Sequence, residues 1–201
     1  MYKRQPDVPL LWFDSFGFSN FEWKKWKRAY SALNQYEAAL ILYCLKVFKK
    51  AELDLQNDLK IITPFRLQSA LISTSVTNYL DVKIEIYETQ TPAGASTIDR
   101  LQGQEYDVVI LSLVDDGLQW SIAKVLQDFR RINVGLTRAR KKMIVVGSSQ
   151  LANYEKSKFL YELYYWIGQQ GKILGEVPKI HLEEELNAVE KAYLEIFKEA
   201  N

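Results

Sequence analysis

Arg130-Arg-Ile-Asn-Val-Gly-Leu-Thr-Arg-Ala-Arg140 runs almost directly into Met143-Ile-Val-Val-Gly147, and this junction decides how the 201-residue chain is read. Four arginines stand within eleven residues, just ahead of a short apolar run. Arginine keeps its charge at physiological pH, and its planar fork matches phosphate oxygens. On a helix, Arg131, Gly135 and Arg138 fall close together at i, i+4 and i+7. The small residue between the two cations leaves room for a bulky anion. A solvated basic helix is the alternative reading of the same residues. The apolar run behind them reads as a buried strand.

A second junction has the same form. Ser96-Thr-Ile-Asp-Arg-Leu-Gln-Gly-Gln-Glu-Tyr-Asp-Val-Val-Ile-Leu-Ser-Leu113 sets a polar, glycine-containing segment before an apolar run. A continuous apolar run bounded by polar residues reads as a strand buried on both faces, as parallel sheets require. Functional groups in open α/β sheets gather beside strand ends, so the segments before Val108 and Met143 can meet in space.

The rest of the chain supplies the alternation that such a sheet needs. Pro9-Leu-Leu-Trp-Phe13 reads as a first strand ending at Asp14. Residues Ser15 to Tyr30 read as an irregular aromatic and basic insert. Asn34 with Glu37 three positions later signals a helix start, and that helix carries Tyr36, Leu40, Tyr43 and Val47 on one side. Lys60-Ile-Ile-Thr63 is a second strand. Pro64 suits the first turn of a helix reaching Leu80. Val82 to Tyr87 alternates as a strand, and Val108–Leu113 and Met143–Val146 complete the sheet. Strand–helix alternation predicts an α/β fold: a parallel sheet covered by helices on both faces. The tail differs in character. Residues Tyr154 to Gln170 have helical spacing, Gly168, Gly171, Gly175 and Pro178 interrupt the chain, and a last amphipathic helix starts at about Leu182. The expected division is therefore a domain over 1–150 and a helical C-terminal extension over 151–201, with the last helix packing on its own domain.

Composition narrows the chemistry. An apolar fraction of 48% with 25% charged residues describes an ordinary globule. The formal net charge is +1, so any nucleic-acid binding must rest on local patches. The single cysteine, Cys44, excludes an internal disulfide and a four-thiolate zinc site, and its apolar helical setting predicts a buried inert thiol. His181 is the only histidine, which leaves metal triads and serine-type hydrolase triads remote. No apolar run reaches membrane-spanning length and Met1-Tyr-Lys-Arg begins no secretory signal, so a cytoplasmic, intracellular protein without membrane contact is expected.

The two junctions resemble motifs V and VI of superfamily 1 helicases in the Upf1-like and Dna2-like branch. Ile61-Ile-Thr-Pro-Phe-Arg-Leu-Gln68 is similar to a third motif of that branch. The resemblance covers about residues 9–150. It implies a RecA-like fold, specifically the second of a helicase's two RecA-like domains, with ATP and Mg2+ as cofactors and single-stranded DNA or RNA as partner. Arg138 matches the arginine finger, whose fork spreads the charge that develops during phosphoryl transfer. Gly103 and Glu105 match positions beside the triphosphate and ribose. Glycine permits close backbone approach, and a carboxylate accepts from sugar hydroxyls. Gln102 and Arg131 match positions near the same cleft. Thr63, with Pro64, and Thr97 match positions that grip the nucleic-acid backbone. A second phosphate-contacting arginine, present in some relatives, is replaced here by Gln35. Each assignment has a plainer alternative: Gln102 caps a turn, or Thr63 merely ends its strand.

Nothing in the chain matches G-x-x-x-x-G-K-[ST], the loop that wraps nucleotide phosphates. By the resemblance, that loop and the magnesium carboxylate belong to the first RecA-like domain, in cis or in trans. The chain alone is therefore expected to be inactive as an ATPase. Asp115-Asp116 at a strand end mimics a magnesium site only superficially. Phe21-Glu-Trp-Lys-Lys-Trp-Lys-Arg28 interleaves indoles with cations, as single-strand binders do, although tryptophans beside a strand also cover cores. The reading from a different class is a stand-alone nucleic-acid-binding or regulatory module derived from a helicase domain.

Overall fold

The computed structural model describes residues 9–18, 20–26, 29–88, 105–116, 133, 136–153, 155, 157–175 and 177–198. Its centre is a six-stranded, wholly parallel sheet in the order β5-β4-β6-β7-β1-β8. The strands are β1 (Leu10–Asp14), β4 (Leu59–Thr63), β5 (Ile86–Glu88), β6 (Tyr106–Ser112), β7 (Ala139–Gly147) and β8 (Lys172–Leu174). The antiparallel hairpin β2 (Phe21–Trp26) and β3 (Ala29–Asn34) stands apart from it. Helices α1 (Gln35–Lys50), α2 (Arg66–Leu80), α3 (Lys158–Gln170) and α4 (Glu183–Lys198) cover the sheet. None of the described helices is long and apolar enough to cross a membrane.

Alternate residues of each central strand point to opposite faces, and both faces are filled. Leu59, Ile61, Val108, Ile110, Ile144 and Val146 join α1, α2 and α4 in one core. Ile62, Val109, Leu111, Met143 and Val145 join Trp12 and the Leu160, Leu163 and Ile167 stripe of α3 in the other. The α/β, RecA-like expectation holds. Residues beyond 150 supply α3, α4 and strand β8, which pairs with β1. The last helix packs on the domain itself, against α1 and α2.

Several local expectations need correction. The Ser15–Tyr30 insert contains β2 and the start of β3 rather than irregular chain. Helix α2 starts at Arg66, with Pro64 ahead of its Phe65 cap. The Thr63 hydroxyl accepts from Phe65 N at 3.4 Å, closing a local turn that delays the helix. Only the end of Val82–Tyr87 joins the sheet. Asp81 adopts a left-handed conformation (φ 52°), and the residues after it carry the chain back to the sheet edge. On α1, Tyr36 and Leu40 are buried, but Tyr43 and Val47 are exposed, and Ile41, Leu42, Cys44 and Leu45 are buried instead. The sheet and α4 cover this helix from two sides, so its buried face is wider than one stripe. Cys44 is buried and its thiol is pushed up to about 12 by burial, which suppresses thiolate chemistry. His181 is exposed, in the short turn Lys179–His181 before α4.

Candidate nucleotide and nucleic-acid edges

A parallel sheet has an edge where every strand begins and another where every strand ends. At the first, Tyr106 pairs with Ala139, and Tyr106 N donates to Arg138 O at 2.9 Å. The two junctions singled out in the sequence therefore do meet. Glu105 and Arg138 become neighbours, the carboxylate exposed and the guanidinium half-buried. Thr137 N donates to Asn133 O at 3.0 Å, so a helical turn ends immediately before Arg138 and places it at the root of β7. Arg140 serves the fold by an ion pair, since its Nη2 lies 2.7 Å from Asp107 Oδ1, and Lys141 takes the other oxygen. Lys141, with Arg140, holds the Asp107 carboxyl below the usual carboxylate range. A groove of about 450 Å³ opens beside these residues, lined by Leu10, Thr137, Arg140, Met143 and Trp166 among others. Gln102, Gly103, Arg131 and Thr97 lie outside the described residues.

Thr63 and Pro64 belong to the opposite edge. Ile62 pairs with Leu111, which sets Thr63 beside Ser112 at the end of β6. The seven-residue strand β6 runs from just after Glu105 to Ser112, roughly 20 Å at the usual strand rise. Both Thr63 and Pro64 are buried. Gln35 is also on this side: it starts α1 and donates from Nε2 to Glu22 Oε1 at 3.1 Å. The structure thus joins Arg138 to Glu105 and puts Thr63 and Pro64 at the opposite edge of the same sheet.

A family model described as an AAA domain matches residues 1–150. Among curated proteins, the chain is 32% identical over 114 residues to the DNA replication ATP-dependent helicase/nuclease DNA2 of Xenopus laevis, covering 57% of this chain and 10% of that protein. It is 33% identical over 149 residues to regulator of nonsense transcripts 1 of Dictyostelium discoideum, covering 73% and 10%. The DNA polymerase alpha-associated DNA helicase A of Saccharomyces cerevisiae matches at 26% over 167 residues, covering 83% and 23%. The chain belongs to the Dna2-like and Upf1-like superfamily 1 helicases. It spans between about a tenth and a quarter of the length of these relatives.

This helicase domain also holds a buried polar network that sequence reasoning did not assign. Asn34 caps α1, its Oδ1 accepting from Glu37 N at 3.1 Å. Gln68 accepts from Asn34 N at 2.9 Å and donates to both Asn34 O and Ser112 Oγ at 3.2 Å. Ser112 Oγ in turn donates to Glu37 Oε2 at 2.8 Å, and Val114 N donates to the same oxygen at 2.9 Å. Ser15 Oγ donates to Glu37 Oε1 at 3.2 Å. Desolvation of the fully buried Glu37 carboxyl raises it to about 8, against the pull of these donors. The network ties the starts of α1 and α2 to the chain leaving β6, fixing the edge where Thr63 and Pro64 stand. Two signals of it are visible in the sequence: Gln68 at the end of the Ile61–Gln68 motif, and Glu37 at the third position of a helix.

Proposed function

We propose that this chain is the C-terminal half of an ATP-dependent superfamily 1 nucleic-acid helicase. It supplies the arginine finger and one wall of the ATP cleft, together with part of the track for single-stranded DNA or RNA. One observation carries the reading: Arg138 and Glu105 stand together on one edge of the sheet, with Thr63 and Pro64 on the other. ATP is the substrate at the first edge. Arg138 balances charge on the transferring phosphoryl group there, while binding of the rest of the nucleotide is assigned to Glu105, with Gln102, Gly103 and Arg131. A half-buried guanidinium beside an exposed carboxylate suits a phosphate and a ribose respectively. Among the described residues, no three His, Cys, Asp or Glu side chains stand together as a metal cage. The reading assigns Mg2+ and the phosphate loop to an opposing RecA-like domain, in cis or in trans. Thr63, Pro64 and Thr97 serve the nucleic-acid side.

In the intact helicase, Arg138→Ala is expected to lower single-strand-stimulated ATP hydrolysis by about 10³–10⁵-fold. Oligonucleotide binding should stay near that of the wild type. Lysine at the same position should restore little, because it lacks the fork. Unchanged turnover in Arg138→Ala would remove the finger from this residue. ATP hydrolysis by the purified 201-residue chain alone would overturn the division of labour between two domains.

A further inference from the structure

The hairpin β2–β3 is not needed to complete the sheet, yet it is firmly held. Ser31 Oγ accepts from Leu67 N at 3.1 Å, and Asn34 is locked into the network at its base. The pairing Trp23↔Ala32 and Lys25↔Tyr30 puts Phe21, Trp23, Lys25, Tyr30, Ala32 and Asn34 on one face. That face carries no carboxylate. The opposite face holds Glu22 and Lys24, which pair with each other and meet Tyr193 of α4. The acidic charge of the hairpin is therefore turned inward and neutralised, and the first face is left cationic and aromatic.

Toward the tip, this face opens to solvent. Trp23 is 48% exposed and Tyr30 63% exposed, large values for aromatic side chains. They are diagonal cross-strand neighbours, about 7–8 Å apart at the backbone. Ala32 directly opposite Trp23 leaves the indole room. Buried Phe65 braces the same indole edge-to-face at 6.1 Å. Phe65 follows Thr63 and Pro64, so the aromatic face continues from that turn, and Arg66 comes next at the start of α2. Lys25 is exposed and makes no ion pair among the described residues.

We propose that this face binds single-stranded nucleic acid, with bases stacking on Trp23 and Tyr30 and a phosphate held by Lys25. It rests on the nucleic-acid role proposed for the edge where the strands end and extends that track onto the hairpin. Pre-positioned aromatic rings interleaved with cations bind single strands with little sequence preference. A protein partner of mixed charge fits less well, because the face offers no carboxylate to meet its basic groups.

The test is fluorescence anisotropy of dye-labelled oligo(dT) and oligo(rU), each of about 12 nucleotides, against the full chain over a range of salt. Trp23→Ala and Tyr30→Ala should each weaken binding about tenfold, while Trp23→Phe and Tyr30→Phe stay within about twofold. Lys25→Gln should lower the slope of log K against log salt by about 0.7, the signature of one lost phosphate contact. Preference for one oligonucleotide would separate DNA from RNA. If the wild-type chain binds neither, the nucleic-acid reading of the edge falls and this proposal with it. If it binds both while all the hairpin variants behave as wild type, only the hairpin assignment falls. Tyr30 is mostly exposed, so its alanine variant keeps the test valid even if Trp23→Ala loosens the hairpin.

Discussion

Glu37 illustrates how far a single residue can be read. Asn34 followed by Glu37 announces a helix start, and Asn34 does cap α1. The pattern also suggests that the carboxylate reaches back to the cap's own N–H, as in a capping box. Instead Gln68 accepts from that N–H, and Glu37 turns inward to Ser112, Val114 and Ser15. The helix boundary was legible because it is a local matter. The direction of the side chain was not, because it depends on residues 22, 75 and 77 positions away. A titration follows. The carboxyl titrates near 8 when folded, against an ordinary 4.5. Between those values the folded state keeps a proton that the unfolded chain releases, so stability falls as pH rises through the window, by up to about 1.4 kcal/mol per unit, and levels off above it. Glu37→Gln is expected to flatten this fall and to be the more stable protein in mildly alkaline buffer. Urea denaturation of both proteins across neutral pH measures it; parallel curves would mean that Glu37 is ionised in the fold.

Among the elements, the apolar stripe of α4 predicts an amphipathic helix docked on its own domain, and the helix does pack there. What it docks through was hidden. Lys46 Nζ on α1 lies 2.7 Å from Glu184 and 2.8 Å from Glu185, and the Glu185 side chain is only 2% exposed. Lys46→Met should destabilise the protein by about 3 kcal/mol, because it leaves the buried Glu185 carboxylate without its cation and facing only the Tyr79 hydroxyl at 3.3 Å. Glu184→Gln, at an exposed position, should cost well under 1 kcal/mol. Comparing the two denaturation midpoints decides the matter, and equal losses would place the stabilisation elsewhere. The hairpin is the opposite case. Phe21-Glu-Trp-Lys24 alternates like a strand, but Lys24-Lys25 and the cations after it give the segment the composition of a loop. The alternation was present, and charge masked it. Tyr43 and Val47 misled for a related reason, since helical spacing predicts a stripe and cannot say that a helix is covered from two directions.

For the whole molecule, the parallel sheet and its two-sided cover could be read from apolar runs alone, since strands buried on both faces need no alternation. The meeting of Glu105 with Arg138 was legible too, because both segments directly precede strands that pair side by side. Strand β8 was not. Lys172-Ile-Leu174 is three residues long, and the neighbouring glycines suggest a break in the chain. One of those glycines makes the strand possible: a Cβ on Gly171 would sit 2.2 Å from Leu10 O, so the chain can pass β1 only without a side chain there. Gly171→Ala is therefore expected to cost about 3 kcal/mol, with amide exchange accelerated first in β1 and β8. A thermal midpoint equal to the wild type would show that the crossing has slack. The same strand order has a consequence for synthesis. Leu10 pairs with Met143, and Leu11 with Lys172. At about 5–20 residues per second, β1 leaves the ribosome several seconds or longer before either of these neighbours. During that interval it is an apolar ribbon with two open sides, a segment that a chaperone would shield.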